Sequence, residues 1–320
     1  MLKNLKKEYK LAKDGKGKIV VYQANDKEKN LLKVLESNKE QIDTYLLNEG
    51  AILFRGFAIN SVSEFNTLAN IVTCNLFDYV HRSTPRTRLG GKIYTATEYP
   101  ADKFIPFHNE NSYTLLWPNK LLFFSIISAD EGGETLLADS RHVYNNIDKD
   151  IINKFDQKKI LYVRNYNKGI DLSWQEVFQT QEKKDVENYC NAQEISYEWK
   201  SGDLELITKQ ICQATIKHPI TQENIWFNQA HLFHISSLKE GDRMELIKQL
   251  GQDKLPRNTY YGDGSEIEEE SLNIIKQAYE KERIEVSWQR GDVLLLDNRL
   301  MAHARNPFKG NRKLVVAMGK

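Results

Sequence analysis

The stretch Ile105-Pro-Phe-His-Asn-Glu-Asn-Ser-Tyr113 decides how the rest of this chain is read. His108 and Glu110 stand two positions apart, and in extended backbone residues i and i+2 project to the same side. An imidazole nitrogen and a carboxylate oxygen then face one point in space, as two ligands of a metal ion. A third ligand would complete a 2-His-1-carboxylate triad, a set that suits iron(II) and leaves positions open. His303, near the other end of the chain, is the best candidate for it. The pair alone does not decide the matter. With 7 His and 44 acidic residues in 320 positions, chance supplies about one H-x-[DE]. The bland reading is a loop-edge histidine beside a solvated glutamate.

Strand-like segments flank both halves of this constellation. Upstream, a helix over 27–48 is stopped by Gly50, and Ala51-Ile-Leu-Phe-Arg-Gly-Phe57 reads as a buried strand. Ser61 caps a helix running to Val72, and Ile93–Thr95 is a short strand. Downstream, Lys120-Leu-Leu-Phe-Phe-Ser-Ile-Ile127 is rich in β-formers and reads as a central strand. Gly132-Gly133 makes a turn into a strand beginning at Glu134. A helix over 141–157 and a strand over 159–166 follow. The stretch 167–210 is mixed and polar, with helices near 174–191 and strands near 195–199 and 204–207. Strands over 215–219 and 225–228 precede helices over 240–250 and 265–282. Glu266, Glu268, Glu269 and Glu270 fall in the first turn of the last helix, where its dipole favours negative charge. The chain ends in β structure: 284–288, then Val293–Asp297, then His303, a turn at Pro307-Phe-Lys-Gly310, and a strand over 312–318. Strands around the site with helices outside them fit an all-β or α+β sandwich better than a βαβα series.

Composition narrows the class of partner. Aliphatic and aromatic residues make up 40% of the chain, and 45 basic residues nearly balance 44 acidic ones for a net charge of +1. That balance gives no reason to expect nucleic acid. Cys74, Cys190 and Cys212 are scattered and odd in number, which suggests free thiols in a reducing compartment. No 18-residue apolar stretch exists to span a membrane, and the N-terminus lacks an apolar signal core, so a cytoplasmic protein is expected. Lys3, Lys6, Lys7, Lys10, Lys13, Lys16 and Lys18 crowd the first 18 residues. Leu2, Leu5, Tyr9 and Ala12 recur there at roughly helical spacing, so a loosely held terminal helix with a solvated face is expected, ended by Gly15 and Gly17. No repeat or Pro/Gly-rich linker divides the chain. The expectation is one domain over 1–320, with a basic segment over 1–18 and a mixed insertion over about 167–282.

The order of motifs resembles the TauD/TfdA family of iron(II)/2-oxoglutarate dioxygenases, and within it the clavaminate synthase-like branch that includes SyrP-type hydroxylases. The resemblance is carried by Gly50-Ala-Ile-Leu-Phe-Arg-Gly-Phe57, Pro85-Arg-Thr87, Thr95-Ala-Thr-Glu98, Pro106-Phe-His-Asn-Glu110 and Gly132-Gly-Glu-Thr135. Trp226-Phe-Asn228, Trp288-Gln-Arg-Gly-Asp-Val-Leu-Leu-Leu-Asp-Asn298 and His303 with Arg312 complete it. It covers the chain from about Gly50 onward. Each motif is weak, and their shared order is what is specific. The fold so implied is mainly β with α: a distorted double-stranded β-helix, or jelly roll, decorated by helices.

The resemblance also implies roles. His108, Glu110 and His303 would hold Fe(II). Glu at the carboxylate position matches the clavaminate synthase-like branch, whereas the related halogenases vacate that position for chloride. 2-Oxoglutarate would chelate the metal, with its far carboxylate on Arg312 and a hydroxyl donor from Thr135. Arg305 is the rival cation, and Lys313 should point to solvent. O2 would be consumed, 2-oxoglutarate converted to succinate, and an unactivated C–H bond hydroxylated. Asp297 and Asn298 are candidates for orienting the ligands. The substrate would be a small molecule, an amino acid or one tethered to a carrier protein. Arg86, Arg88 and Arg299 are candidates for its carboxylate, and Asn228 for a further hydrogen bond. Trp117, Trp226, Phe227 and Phe233 are either pocket walls or core; His231 and His234 read as loop or lid residues. Desaturation or cyclisation with the same cofactors stays open, as does a non-catalytic jelly-roll binding module.

Overall fold

Alternate residues of the central strands go to different cores. Leu121 and Phe123 point one way with Leu294, Leu296, Val316 and Met318, while Leu122 and Phe124 point the other way with Val293, Leu295, Val315 and Ala317. This is the period-2 alternation of a sheet buried on both faces. The structure, a computed structural model, describes residues 2–79, 81–166, 171–200 and 205–320. The sheet they form has eight strands, in the order Lys6–Leu11, Lys18–Gln23, Ala51–Arg55, Val293–Asp297, Lys120–Ile127, Lys313–Gly319, Ile93–Thr95 and Arg88–Gly90. All neighbours pair antiparallel except Lys18–Gln23 with Ala51–Arg55.

A second sheet of four strands, in the order Ile284–Val286, Thr135–Asp139, Met301–Arg305 and Ile105–His108, packs across the first. Leu137, Met301, Ile284 and Val286 meet the large sheet in the inner core. Leu136, Ala138, Ala302 and Ala304 face outward onto the helices Ser140–Asn146, Lys149–Lys158, Ala230–Phe233 and Glu269–Lys281. The far side of the large sheet is covered by Leu31–Ser37, Lys39–Glu49 and Val62–Val72. Each Leu or Phe so buried contributes about 1.5–3 kcal/mol relative to exposure. Ser61 accepts the Glu64 N–H at 3.1 Å as the expected cap, and Gly50 ends its helix in the left-handed region at φ 71°.

Two motifs named above are joined here. Arg55 forks onto the buried Asp292 at 3.1 and 2.7 Å, and Asp292 also accepts the Gln289 N–H at 2.8 Å. The Arg-Gly and Gly-Asp turns of neighbouring strands therefore pin each other.

The N-terminus corrects the helical expectation. Lys6–Leu11 is an edge strand paired with Lys18–Gln23, register Lys6↔Gln23 through Leu11↔Lys18. Of the four apolar residues at helical spacing only Leu2 and Leu5 are buried, and Tyr9 stays 45% exposed. Backbone pairing to an open sheet edge outweighs the spacing, and the lysines suit an edge that must not recruit another strand. Gly17 lies in the tight return, where the Lys16 and Gly17 N–H groups donate to buried Glu282 at 3.0 and 2.9 Å. The helix expected over 27–48 is interrupted at Asn38.

The mixed region has a sheet of its own, in the order Ser196–Lys200, Glu205–Cys212, Ile160–Tyr166 and Arg257–Tyr261. Trp174, Val177, Phe178, Val186, Cys190 and Leu206 form its core. This sheet draws in Ile160–Tyr166, ahead of the expected insertion. That insertion's first residues, 167–170, and the start of the strand expected at 204 lie outside the described residues.

Candidate metal centre

His303 lies directly across the small sheet from His108, and their rings are 4.3 Å apart. Its neighbours Ala302 and Ala304 face the outer helices, so alternation turns His303 into the sandwich, beside Phe123 at 5.4 Å. Glu110 arrives by a different route from the one spacing suggests. The strand ends at His108, and Glu110 sits in the following turn. Asn298 fixes that turn: its Oδ1 accepts the Glu110 N–H at 2.7 Å, and its Nδ2 donates to the carbonyls of Glu110 at 3.0 Å and Pro118 at 2.8 Å. Asn109 donates to the Asn298 carbonyl at 2.7 Å and accepts at its own carbonyl from Gln229 at 2.8 Å. One ligand atom from each of His108, Glu110 and His303 falls within 4.8 Å of the others, with His303 Nε2 4.0 Å from Glu110 Oε2.

The charge state suits ligation. Burial pushes the His303 imidazole well below its ordinary pKa, with His108 and Arg86 adding to the effect. Burial also lowers His108, against the pull of Glu110 and of its bond to Pro106. Both shifts favour the neutral ring, the form a metal requires. His108 Nδ1 donates to the Pro106 carbonyl at 2.8 Å, which leaves the Nε2 lone pair free. Two neutral imidazoles and one carboxylate fit a borderline divalent ion such as iron(II).

Thr135 and Arg312 line the same cavity as His108 and His303. Trp288 Nε1 donates to Thr135 Oγ at 3.0 Å. Arg312 Nε donates to the Gly133 carbonyl at 3.0 Å, and burial, helped by the charge of Arg305, lowers its pKa to about 10. A Cβ on Gly133 would press on that guanidinium arm, and one on Gly132 would strike the Pro307 carbonyl, so both positions of this turn need glycine. Arg305 also lines the cavity, but its guanidinium donates to the carbonyls of Tyr99, Pro100 and Lys103 at 3.1, 2.6 and 2.5 Å. It ties down a loop. Lys313 is exposed, as expected.

The residues expected to meet substrate are placed as follows. Arg88 is exposed on an edge strand and donates to the Gly91 carbonyl. Asn228 is fully buried, its amide donating to the Ala214 carbonyl at 2.7 Å and accepting from the Ala230 N–H at 3.0 Å. Arg299 pairs with Asp297 at 3.1 Å. None of these three lines the cavity. Arg86 does, but its Nη2 is bound to Glu110 at 2.7 Å. Trp226 and Phe233 belong to the outer core, and Trp117 packs on Phe227. His231 is buried against the Phe107 carbonyl at 2.9 Å, and His234 caps a short turn through Ser236. Of the two candidate orienting residues, Asn298 acts on Glu110, whereas Asp297 serves Arg299 and His218. Sequence reading missed Gln229 and Trp288, whose partners lie 120 and 153 residues away.

A β sandwich whose mouth gathers two histidines and a carboxylate, with an arginine and a threonine along one cavity, defines a class: the mononuclear non-haem iron oxygenases with a jelly-roll fold. Residues 16–318 match the family described as taurine catabolism dioxygenase TauD, TfdA family, and the chain belongs to that family. It is 45% identical over 277 residues to the dapdiamide synthesis protein DdaC of Enterobacter agglomerans, covering 87% of this chain and 84% of that one. It is 30% identical over 298 residues to a clavaminate synthase-like protein of Arabidopsis thaliana, covering 89% and 86%. The crystal structure of PvcB from Pseudomonas aeruginosa has a similar fold, with a TM-score of 0.58 at 10% identity over 98% of this chain and 90% of that one. The chain is accordingly an enzyme that uses Fe(II), 2-oxoglutarate and O2. Among the described residues no helix is long and apolar enough to cross a membrane.

Proposed function

We propose that this oxygenase hydroxylates an unactivated C–H bond of a small amino-acid-like substrate, free or tethered to a carrier protein. One observation carries the site assignment: His108, Glu110 and His303 converge within 4.8 Å beside a cavity that also receives Thr135 and Arg312. The likeness to a protein of dapdiamide synthesis supports the substrate class.

In this reading His108, Glu110 and His303 hold Fe(II). When bound, iron and 2-oxoglutarate would supply the oxidising power, one atom of O2 going to the substrate and the other to succinate as CO2 is lost. The chain places and shields the reactants. His108 offers Nε2 because Nδ1–H is committed to Pro106. Thr135 Oγ already accepts from Trp288, so its own proton is available for a cosubstrate carboxylate. Arg312, with its planar fork, pairs with the far carboxylate. Its pKa of about 10 keeps it cationic at neutral pH. Phe123 and Leu314 give the cavity apolar walls.

The test is anaerobic addition of Fe(II) and 2-oxoglutarate to metal-free protein, following the visible metal-to-ligand charge-transfer band in wild type and in His108→Ala. A band that the substitution abolishes is expected. Its absence from folded wild type would sink the site assignment. Succinate release with free amino acids, and with amino acids loaded on a carrier as thioesters, then tests the substrate class. Product mass separates hydroxylation, a gain of one oxygen, from desaturation or cyclisation.

A further inference from the structure

Arg86 is an enclosed cation with an incomplete set of partners. Its Nη2 donates to Glu110 Oε2 at 2.7 Å and to Thr97 Oγ1 at 3.2 Å. Its guanidinium lies 4.6 Å from the centre of the Tyr79 ring. The Arg86 and Glu110 side chains are 2% and 4% exposed. Nε and Nη1 have no hydrogen-bond partner among the described residues. Burying a charge this deeply is costly, and with Nε and Nη1 unpartnered the contact with Glu110 offsets only part of that cost. The pairing points at the metal centre, because the oxygen that Arg86 grips is the one 4.0 Å from His303 Nε2.

We propose that Arg86 is the positioning residue of the metal centre: it fixes the carboxylate of Glu110 toward His108 and His303. The inference rests on the metal assignment above. Glu110 needs such a restraint more than the histidines do. His108 is on a strand and His303 is on its partner strand, so the sheet aims both rings. Glu110 is in a turn, and Asn298 holds only its main chain. The carboxylate stands at the end of rotatable bonds that the main chain does not fix, and Arg86 is the charged group that holds it. Outer partners of this kind orient metal ligands generally. The role differs from the expectation that Arg86 receives a substrate anion, and the two readings part experimentally.

The test titrates metal-free wild type, Arg86→Gln and Arg86→Lys with Mn(II) in the absence of cosubstrate, reading free ion by electron paramagnetic resonance. The Fe(II)/2-oxoglutarate charge-transfer band is then recorded for each, with circular dichroism to establish folding. Arg86→Gln is expected to weaken Mn(II) binding about 10–100-fold and to shift or broaden the band. Arg86→Lys keeps the charge without the planar fork and should fall between the two. Should Arg86→Gln not fold, Arg86→Lys decides alone, with a loss of at least about threefold expected. Mn(II) affinity within about twofold of wild type in the folded variants, with an unchanged band and only substrate-dependent succinate release impaired, overturns the proposal in favour of a substrate anchor. If wild type itself neither binds Mn(II) nor gives a band, the metal assignment fails and the role of Arg86 with it.

Discussion

Thr135 is a hydroxyl given a direction by its neighbour. The Trp288 indole can only donate, so its bond to Thr135 Oγ at 3.0 Å sends the threonine proton elsewhere. Trp288→Phe removes that constraint and should weaken 2-oxoglutarate binding about 2–10-fold, measured by titrating the charge-transfer band; an unchanged titration would separate Thr135 from the cosubstrate. Arg312 and Arg305 share the cavity but differ in what they already hold. Arg312 spends one N–H on the Gly133 carbonyl, whereas both terminal nitrogens of Arg305 are on loop carbonyls. Arg312→Ala should therefore weaken 2-oxoglutarate binding about 10–100-fold, and Arg305→Ala should loosen the loop around residue 100 with a smaller effect on the same titration. The reverse order would exchange their roles. The sequence alone favoured Arg312, but it did not reveal that Arg305 was occupied.

At the scale of elements, the site depends on one buried amide that joins two loops. Asn298 makes three hydrogen bonds to Glu110 and Pro118, and Asn298→Ala leaves their partners buried and unmatched. A loss of about 2–4 kcal/mol in unfolding free energy is expected, measured by denaturant titration of the metal-free protein. A loss below about 0.5 kcal/mol would mean that the loops hold without it. The N-terminal strand poses an opposite question. Its edge is open and its side chains Lys6, Lys7 and Glu8 are exposed, and such charge disfavours pairing with a second chain. Lys6→Val with Lys7→Thr should increase self-association, as seen by sedimentation, with a small drop in melting temperature because Lys7 also donates to the Tyr45 hydroxyl at 2.9 Å. A strictly monomeric double variant would remove this role from the lysines. Helical spacing misled here because three-and-four spacing and strand alternation are both satisfied by so short a segment, and the open edge of the sheet decided between them.

Over the whole molecule, buried histidines are expected to contribute to the response to acid. Burial lowers the pKa of His231 and of His234 to about 4. A folded-state value below the unfolded one means that the unfolded chain binds protons first as pH falls. Stability is therefore full above the ordinary imidazole value near 6.5 and drains away down to about 4. For His231 the loss across that window is roughly 3 kcal/mol. His231→Gln keeps a donor for the Phe107 carbonyl and loses the titration, so its denaturant midpoint should vary less between pH 6.5 and 4 than that of wild type. Parallel curves would show that this histidine does not set the slope.

What the sequence determined by itself was everything that repeats or is spaced along one dimension. The β-former-rich apolar runs of Lys120–Ile127 and Val293–Asp297 marked strands, and the His-x-Glu pair with a distant His and Arg marked a candidate site. Strand propensity and residue chemistry are local properties and can be read along the chain, whereas the turn that brings Glu110 beside His108 cannot. The tertiary structure alone decided which polar groups face the cavity and which are tied to neighbouring residues. Arg86, Asn228 and Arg299 carry the same donors whether they meet a ligand or a neighbour. Only the fold brings Glu110 to Arg86 across 24 residues and to Asn298 across 188. A buried charge or amide takes whatever partner the packing sets beside it, and that partner is chosen by sheet register and loop closure, which no spacing within the segment encodes.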